Sequence, residues 1–206
     1  DVTPEIAALA GIDKAQVTPV ELMSALLKSQ CELLWFGGIG NYIKGRAESH
    51  ADVGDRANDG IRVDAEDVRA LVVGEGANLG VTQKGRIAFA RNGGRINTDA
   101  IDNSAGVDTS DHEVNIKILL ADAIRGGALK ANARDKLLES MTDEVGNLVL
   151  MDNYDQTGAI SIAQATAAND LDSHERFIQR LEAAGKLARR VEGLPLTGEI
   201  AALRAA

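Results

Sequence analysis

With 206 residues, 45% of them hydrophobic and 26% charged, the chain has the composition of a folded protein of one domain or two small ones. This excludes a disordered tail, a collagen-like repeat and a disulfide scaffold. A formal net charge of −9 argues against a nucleic-acid partner, and no apolar run approaches the roughly 20 residues that cross a bilayer.

The chain opens Asp1-Val2-Thr3-Pro4-Glu5, without the basic start and apolar core of a secretory leader. It lacks an initiator methionine and is only 3% aromatic, so an excerpt from a longer protein is expected. Thr18-Pro19-Val20-Glu21 predicts a helix start with a reciprocal capping box, and Leu22, Met23, Leu26 and Leu27 follow at helical spacing. Cys31 to Phe36 reads as a buried strand that stops at Gly37-Gly38. Cys31 is then a packing residue, and a lone cysteine points to a reducing cytoplasm. Residues 45–60 are polar and aperiodic, which predicts a loop or insertion. Val68 to Val73 is a second strand. A helix from Thr82 follows, with Ile87, Phe89 and Ala90 toward the core and a stop at Gly93-Gly94. Arg95 to Ile101 is the third strand candidate. Alternating strands and helices favour a parallel sheet with helices on its faces.

After about residue 108 the pattern turns helical. Ser110 and Glu113 form a second capping box. The helix behind them carries Val114, Ile116, Ile118, Leu119, Leu120 and Ile124 on most of its circumference, so burial is expected, with Gly126-Gly127 as its end. Ala133, Leu137, Leu138, Met141 and Val145 mark one further amphipathic helix. Ser173 caps another that carries Phe177, Leu181 and Ala184. Lys186 to Arg190 reads as a solvated helix face.

Gly-rich turns after buried strands are the strongest chemical signal, because ligands of open α/β sheets bind beyond the carboxyl ends of the strands. Three such ends occur: Gly37-Gly38-Ile39-Gly40, Gly74-Glu75-Gly76-Ala77-Asn78 and Asp102-Asn103-Ser104-Ala105-Gly106. Gly74-x-Gly76-x-x-x-Gly80 departs from a dinucleotide phosphate loop by one residue, and Glu75 inside it would repel a pyrophosphate. The acids from Asp99 to Glu113, with His112, lack metal-ligand spacing, so no metal is expected. His50 and His174 read as surface residues.

The residues Glu75-Gly76-Ala77-Asn78 and Asn103-Ser104-Ala105-Gly106-Val107, with Ser110 and Glu113 beyond, resemble the glutamate dehydrogenase family of amino-acid dehydrogenases. Leu34-Trp35-Phe36-Gly37-Gly38-Ile39-Gly40, Val53-Gly54-Asp55-Arg56-Ala57-Asn58-Asp59 and Asp102 to Leu120 are more closely similar to its large-subunit bacterial NAD-specific branch. The likeness runs from about Cys31 to Leu120 and continues loosely through Asn153-Tyr154-Asp155-Gln156-Thr157. Leu79-Gly80-Val81 and Ser104-Ala105 depart from the hexameric enzymes of the family and fit the large-subunit branch.

The resemblance implies the second half of a Rossmann-like parallel sheet over residues 1–108 and a mostly helical region over 109–206. It implies NAD as cofactor, with Gly37, Gly38, Glu75, Asn78 and Asn103 beside it, and Ser110 on the distal carboxylate of the substrate. The implied reaction is oxidative deamination of L-glutamate to 2-oxoglutarate and ammonia. No segment matches the family's phosphate turn, substrate lysines or catalytic aspartate. The remainder of a parent chain must supply them, a homo-oligomer is implied, and this piece alone would be inactive. The competing readings are a nucleotide-binding or helical interaction module without catalysis, and a dehydrogenase for another amino acid.

Overall fold

The computed structural model describes residues 1–205. Thr3 and Thr18 accept hydrogen bonds from the N–H groups of Ile6 and Glu21 and start α1 (Pro4–Ala10) and α2 (Pro19–Leu27), each with proline in its first turn. At α2 the capping box is complete, because the Glu21 carboxylate accepts from the Thr18 N–H in return.

The strands are β1 (Leu33–Phe36), β2 (Ile43–Lys44), β3 (Val63–Asp64), β4 (Val72–Glu75) and β5 (Arg95–Ile96). They form two all-parallel sheets, one in the order β1-β4-β5 and one pairing β2 with β3. The predicted strand at 31–36 is present over its last four residues. The predicted strand at 68–73 begins later, because Ala65–Asp67 form a 3-10 turn that delivers Val68 to the core before β4 starts. Helix α4 (Gln83–Arg91) follows with Thr82 as its cap. It buries Phe89 as predicted, while Ala90 faces solvent.

The third strand is much shorter than the 95–101 expected. After β5 the chain turns into α5 (Asp99–Asp102), a single helical turn, and then α6 (Ser104–Arg125). The turn Asp102–Gly106 therefore joins two helices and does not follow a strand. Nor are residues 45–60 a bare loop. They hold α3 (His50–Val53) with its own Ser49–Asp52 capping box, and the buried Arg62 guanidinium ties the segment together. Arg62 donates to the carbonyls of Asn41 and Asp55 and to the Asp59 carboxylate, and contacts His50 Nδ1 at 2.8 Å. Composition looked loop-like there because the segment is held by polar contacts rather than by an apolar face.

The core gathers Phe36, Ile43, Val63, Ala65, Val68, Ala70, Val73, Val81 and Phe89, with Cys31 packed against its edge. The C-terminal half is α7 (Arg134–Ser140), α8 (Thr142–Thr166), α9 (Leu171–Ala183), α10 (Arg189–Glu192) and α11 (Thr197–Ala205). Five expectations fail here. Ser110 lies inside α6, which already starts at Ser104, so it caps nothing. Ser173 lies inside α9, where Asp170 holds the cap position. The helix expected across 133–145 breaks at Met141 into α7 and α8. Arg189 is buried and paired with Glu182 at 2.7 Å instead of lying on a solvated face. Finally, α6 is covered along one side by α8, and of its apolar residues only Leu120 is buried; Leu119 is 68% exposed. Among the described residues no helix is long and apolar enough to cross a membrane.

Candidate functional site

Because β1, β4 and β5 are parallel, their carboxyl ends share one edge of the sheet. Pairing of Phe36 with Glu75 sets Gly37 beside Gly76 at that edge. The glycines of the second turn have a packing reason. A Cβ on Gly74 would lie 2.6 Å from Trp35 Cε3, and one on Gly76 would lie 2.6 Å from Trp35 Cζ2. The Trp35 indole thus lies flat over the β4 backbone, and the spacing that looks like part of a phosphate loop is a seat for that ring.

Glu75, the last residue of β4, turns beneath the edge. Its side chain is fully buried. Oε2 accepts from Arg86 Nη2 at 2.6 Å and Nε at 3.0 Å, and Oε1 accepts from the Val81 N–H at 3.1 Å. Burial pushes its carboxyl above the usual carboxylate range, against the pull of Arg86 and the Val81 amide. Glu75 therefore faces Arg86 inside the protein and shapes the turn from below, and its charge does not confront a ligand as the sequence led one to expect.

Above Glu75 the turn presents Asn78, which is exposed. Asn103, at the junction of α5 and α6, donates from Nδ2 to Asn78 Oδ1 at 2.9 Å. The two asparagines singled out in the sequence, 25 positions apart, are thus in direct contact. Carboxylates of α5 fasten the turn to the helix. Asp102 Oδ2 accepts from the Glu75 N–H at 3.0 Å while Oδ1 accepts from Asn97, and Asp99 Oδ2 accepts from the Leu79 N–H at 3.0 Å. On the other side Asn153 of α8 donates to the Ile101 carbonyl and to Ser104 Oγ, both at 3.0 Å.

The asparagine pair opens onto a cleft of about 650 Å³ whose walls include Leu79, Val107, Asp108, Asp111, Asp152 and Gln156. The lining contains four aspartates and neither lysine nor arginine. Its asparagine end offers amide donors and acceptors, and its acidic walls would repel a pyrophosphate. Asp108, His112 and Asp152 bring one ligand atom each within 4.8 Å of one another, a trio that sequence spacing missed because Asp152 comes from α8. Asp108 Oδ2 and Gln156 Oε1 are buried without a partner. Ser110 is absent from these walls. It is exposed on α6, seven residues and so two turns beyond Asn103, on the same side of the helix. Gly37 and Gly38 line a separate apolar pocket of about 320 Å³ with Met23, Leu34, Trp35 and Tyr42.

An all-parallel sheet with a polar cleft beyond one strand end defines the class: an α/β protein whose candidate ligand position lies at the carboxyl edge of its sheet. The comparisons narrow it. The family model for the bacterial NAD-glutamate dehydrogenase catalytic domain matches residues 1–163, and the chain belongs to that family. It is 52% identical over 200 residues to a protein of Pseudomonas aeruginosa named NAD-specific glutamate dehydrogenase, and 53% identical over 203 residues to one of that name from Mycobacterium tuberculosis. A third of that name, from Halomonas elongata, is 47% identical over 199 residues. These alignments cover 96–97% of this chain but only 12% of each relative's length.

Proposed function

We propose that this chain is a segment of an NAD-dependent glutamate dehydrogenase and forms the nicotinamide side of its active site. The observation that carries the reading is the Asn103–Asn78 hydrogen bond at the carboxyl edge of a parallel sheet. It occurs in a chain about half identical to three proteins named for that activity. The reaction is oxidative deamination of L-glutamate to 2-oxoglutarate and ammonia. NAD, when bound, accepts the hydride that leaves the substrate Cα.

The roles of the residues follow from their chemistry. Asn103 spends one donor on Asn78 and keeps Oδ1 to accept from the carboxamide of the nicotinamide. Asn78 lies at the ribose end, and Gly37 and Gly38 leave the strand end open to the cofactor. Glu75 contributes by fixing the turn through Arg86. Ser110 donates its hydroxyl to the distal carboxylate of glutamate, from the same side of α6 as Asn103. Cationic anchors for the substrate and the pyrophosphate, and the acid–base group, come from the remainder of the parent chain. The acidic cleft supports that division of labour. The lone Cys31 and the absence of a spanning helix among the described residues suit a cytoplasmic enzyme.

The exposed apolar residues of the helical half favour a second role alongside the first. Leu119, Leu150 and Ile162 are 68%, 68% and 70% exposed, and such surface suits contact with other parts of the parent protein or a second copy of it.

Asn103→Ala in the full-length protein tests the main reading. Loss of the amide leaves the nicotinamide ring free to tilt, and displacement at hydride-transfer distance costs on the order of 100-fold in kcat/KM. Steady-state rates with glutamate and NAD check this, with the thermal midpoint unchanged. A collapsed midpoint with normal turnover of the remaining folded enzyme would assign Asn103 to the turn alone.

A further inference from the structure

Leu79, the residue after Asn78, is the one non-glycine with positive φ among the described residues, at 66°. An L side chain avoids that left-handed backbone unless its surroundings impose it. Packing does not impose it here, because the Leu79 side chain is 58% exposed. Glu75 on the Val81 N–H and the Tyr42 and Ile43 N–H groups on the Gly80 carbonyl hold the far side of the turn, and Asp99 restrains Leu79 itself. Its Oδ2 accepts from the Leu79 N–H at 3.0 Å. Its Oδ1 accepts from the Ala100 N–H at 2.9 Å and lies 3.6 Å from Arg86 Nη2, the guanidinium that also grips Glu75 at the start of the same turn. Its main-chain carbonyl accepts from the N–H of Asn103 at 2.8 Å.

We propose that Asp99 is a positioning residue for the reaction: its carboxylate holds Leu79 left-handed, and with the main-chain bond of α5 that holds Asn103 whatever the side chain at 99, it sets the Asn78–Asn103 hydrogen bond. The proposal rests on the function assigned above. Asp99 is itself part of the cleft lining, but the role assigned to it is exerted through Leu79 and the two asparagines. It acts by keeping two amides, on separate elements, in register with one another.

The test uses the full-length protein with glutamate and NAD, and counts active sites by the stoichiometry of NADH binding. Asp99→Ala is expected to lower kcat per active site about 10- to 100-fold. It should also raise the primary isotope effect seen with glutamate deuterated at Cα, because a misplaced ring makes hydride transfer slower than the steps around it. Asp99→Asn keeps an acceptor oxygen for Leu79 but turns its NH2 toward the Ala100 N–H and Arg86, and should recover part of the rate lost in Asp99→Ala. Leu79→Val leaves Asp99 in place but sets a β-branched side chain on a positive φ, and should reproduce the defect. Leu79→Gly, which accepts that φ freely, should lose less rate than Leu79→Val, although it also removes a side chain from the cleft wall.

Asp99→Ala and Leu79→Val changing only the number of active sites, with kcat per site and the isotope effect as in the parent, overturns the proposal. Asn103→Ala run in parallel separates the two levels. If it lowers the rate while the Asp99 and Leu79 variants do not, the positioning role alone fails. If Asn103→Ala is also silent, the functional reading fails with it.

Discussion

Ser110 sits exposed inside α6, where the neighbouring N–H groups are already engaged by the helix. Its hydroxyl therefore has no cap to maintain, and Ser110→Ala is expected to change stability by less than about 0.5 kcal/mol. The proposed substrate contact makes a separate demand. A hydrogen bond to a carboxylate is worth roughly 1.5–3 kcal/mol, so its loss raises KM for glutamate about 10- to 100-fold. The same change should narrow the preference for glutamate over norvaline, which lacks the distal carboxylate. The ratio of the two specificity constants, in wild type and variant, is the readout; an unchanged ratio would remove Ser110 from the substrate site. Asn78 and Asn103 could be singled out in the sequence because each sits in a family motif, and the structure brings the two into contact; the assignment of Ser110 rests on the resemblance alone. The role of Ser110 as a cap was misread, because a Ser-x-x-Glu pattern has the same letters at a helix start and inside a helix.

The capping box expected at Thr18 and Glu21 held up. At α2 the Glu21 carboxyl is held down to about 2 by Lys14 and by the Thr18 backbone and hydroxyl donors. Its folded value lies below its ordinary 4.5, so the stabilisation it gives α2 is present above pH 4.5 and is lost as pH falls from there toward 2. Amide exchange along α2, corrected for intrinsic rates, should accelerate across that window, and Glu21→Gln should flatten the dependence. Acceleration of equal size in the variant would place the acid-sensitive group elsewhere.

The elements that sequence reasoning missed share a physical feature. β2, β3, α3 and α5 are two to four residues long and are held by polar side chains from distant positions, such as Asp102 on the Glu75 N–H and Arg62 on the Asn41 carbonyl. Periodicity needs an apolar face several residues long, and these elements have none. The break at Met141 was invisible for the converse reason: apolar positions on both sides keep the helical period through a change of axis.

On the scale of the whole molecule, polar fastening and apolar exposure divide the chain. The first half has a continuous core under its sheets, while the helical half buries Leu120, Val149 and Ile200 and leaves broad apolar surface outside. A chain spanning 12% of its relatives' length is suited to that arrangement, since the uncovered faces are where the rest of a large protein can pack. The cleft at the sheet edge carries amides and acids, with neither lysine nor arginine in its lining.

The central claim is that the carboxyl edge of this sheet receives the nicotinamide end of NAD. Hydrogen–deuterium exchange on the full-length protein, with and without saturating NADH, tests it most directly. The account predicts slower exchange on cofactor binding at Gly37–Gly38, at Gly76–Leu79 and at Asn97–Ser104, with the β2–β3 pair and the far end of α8 unchanged. Unchanged exchange in those three segments, together with protection elsewhere in this chain, would contradict it.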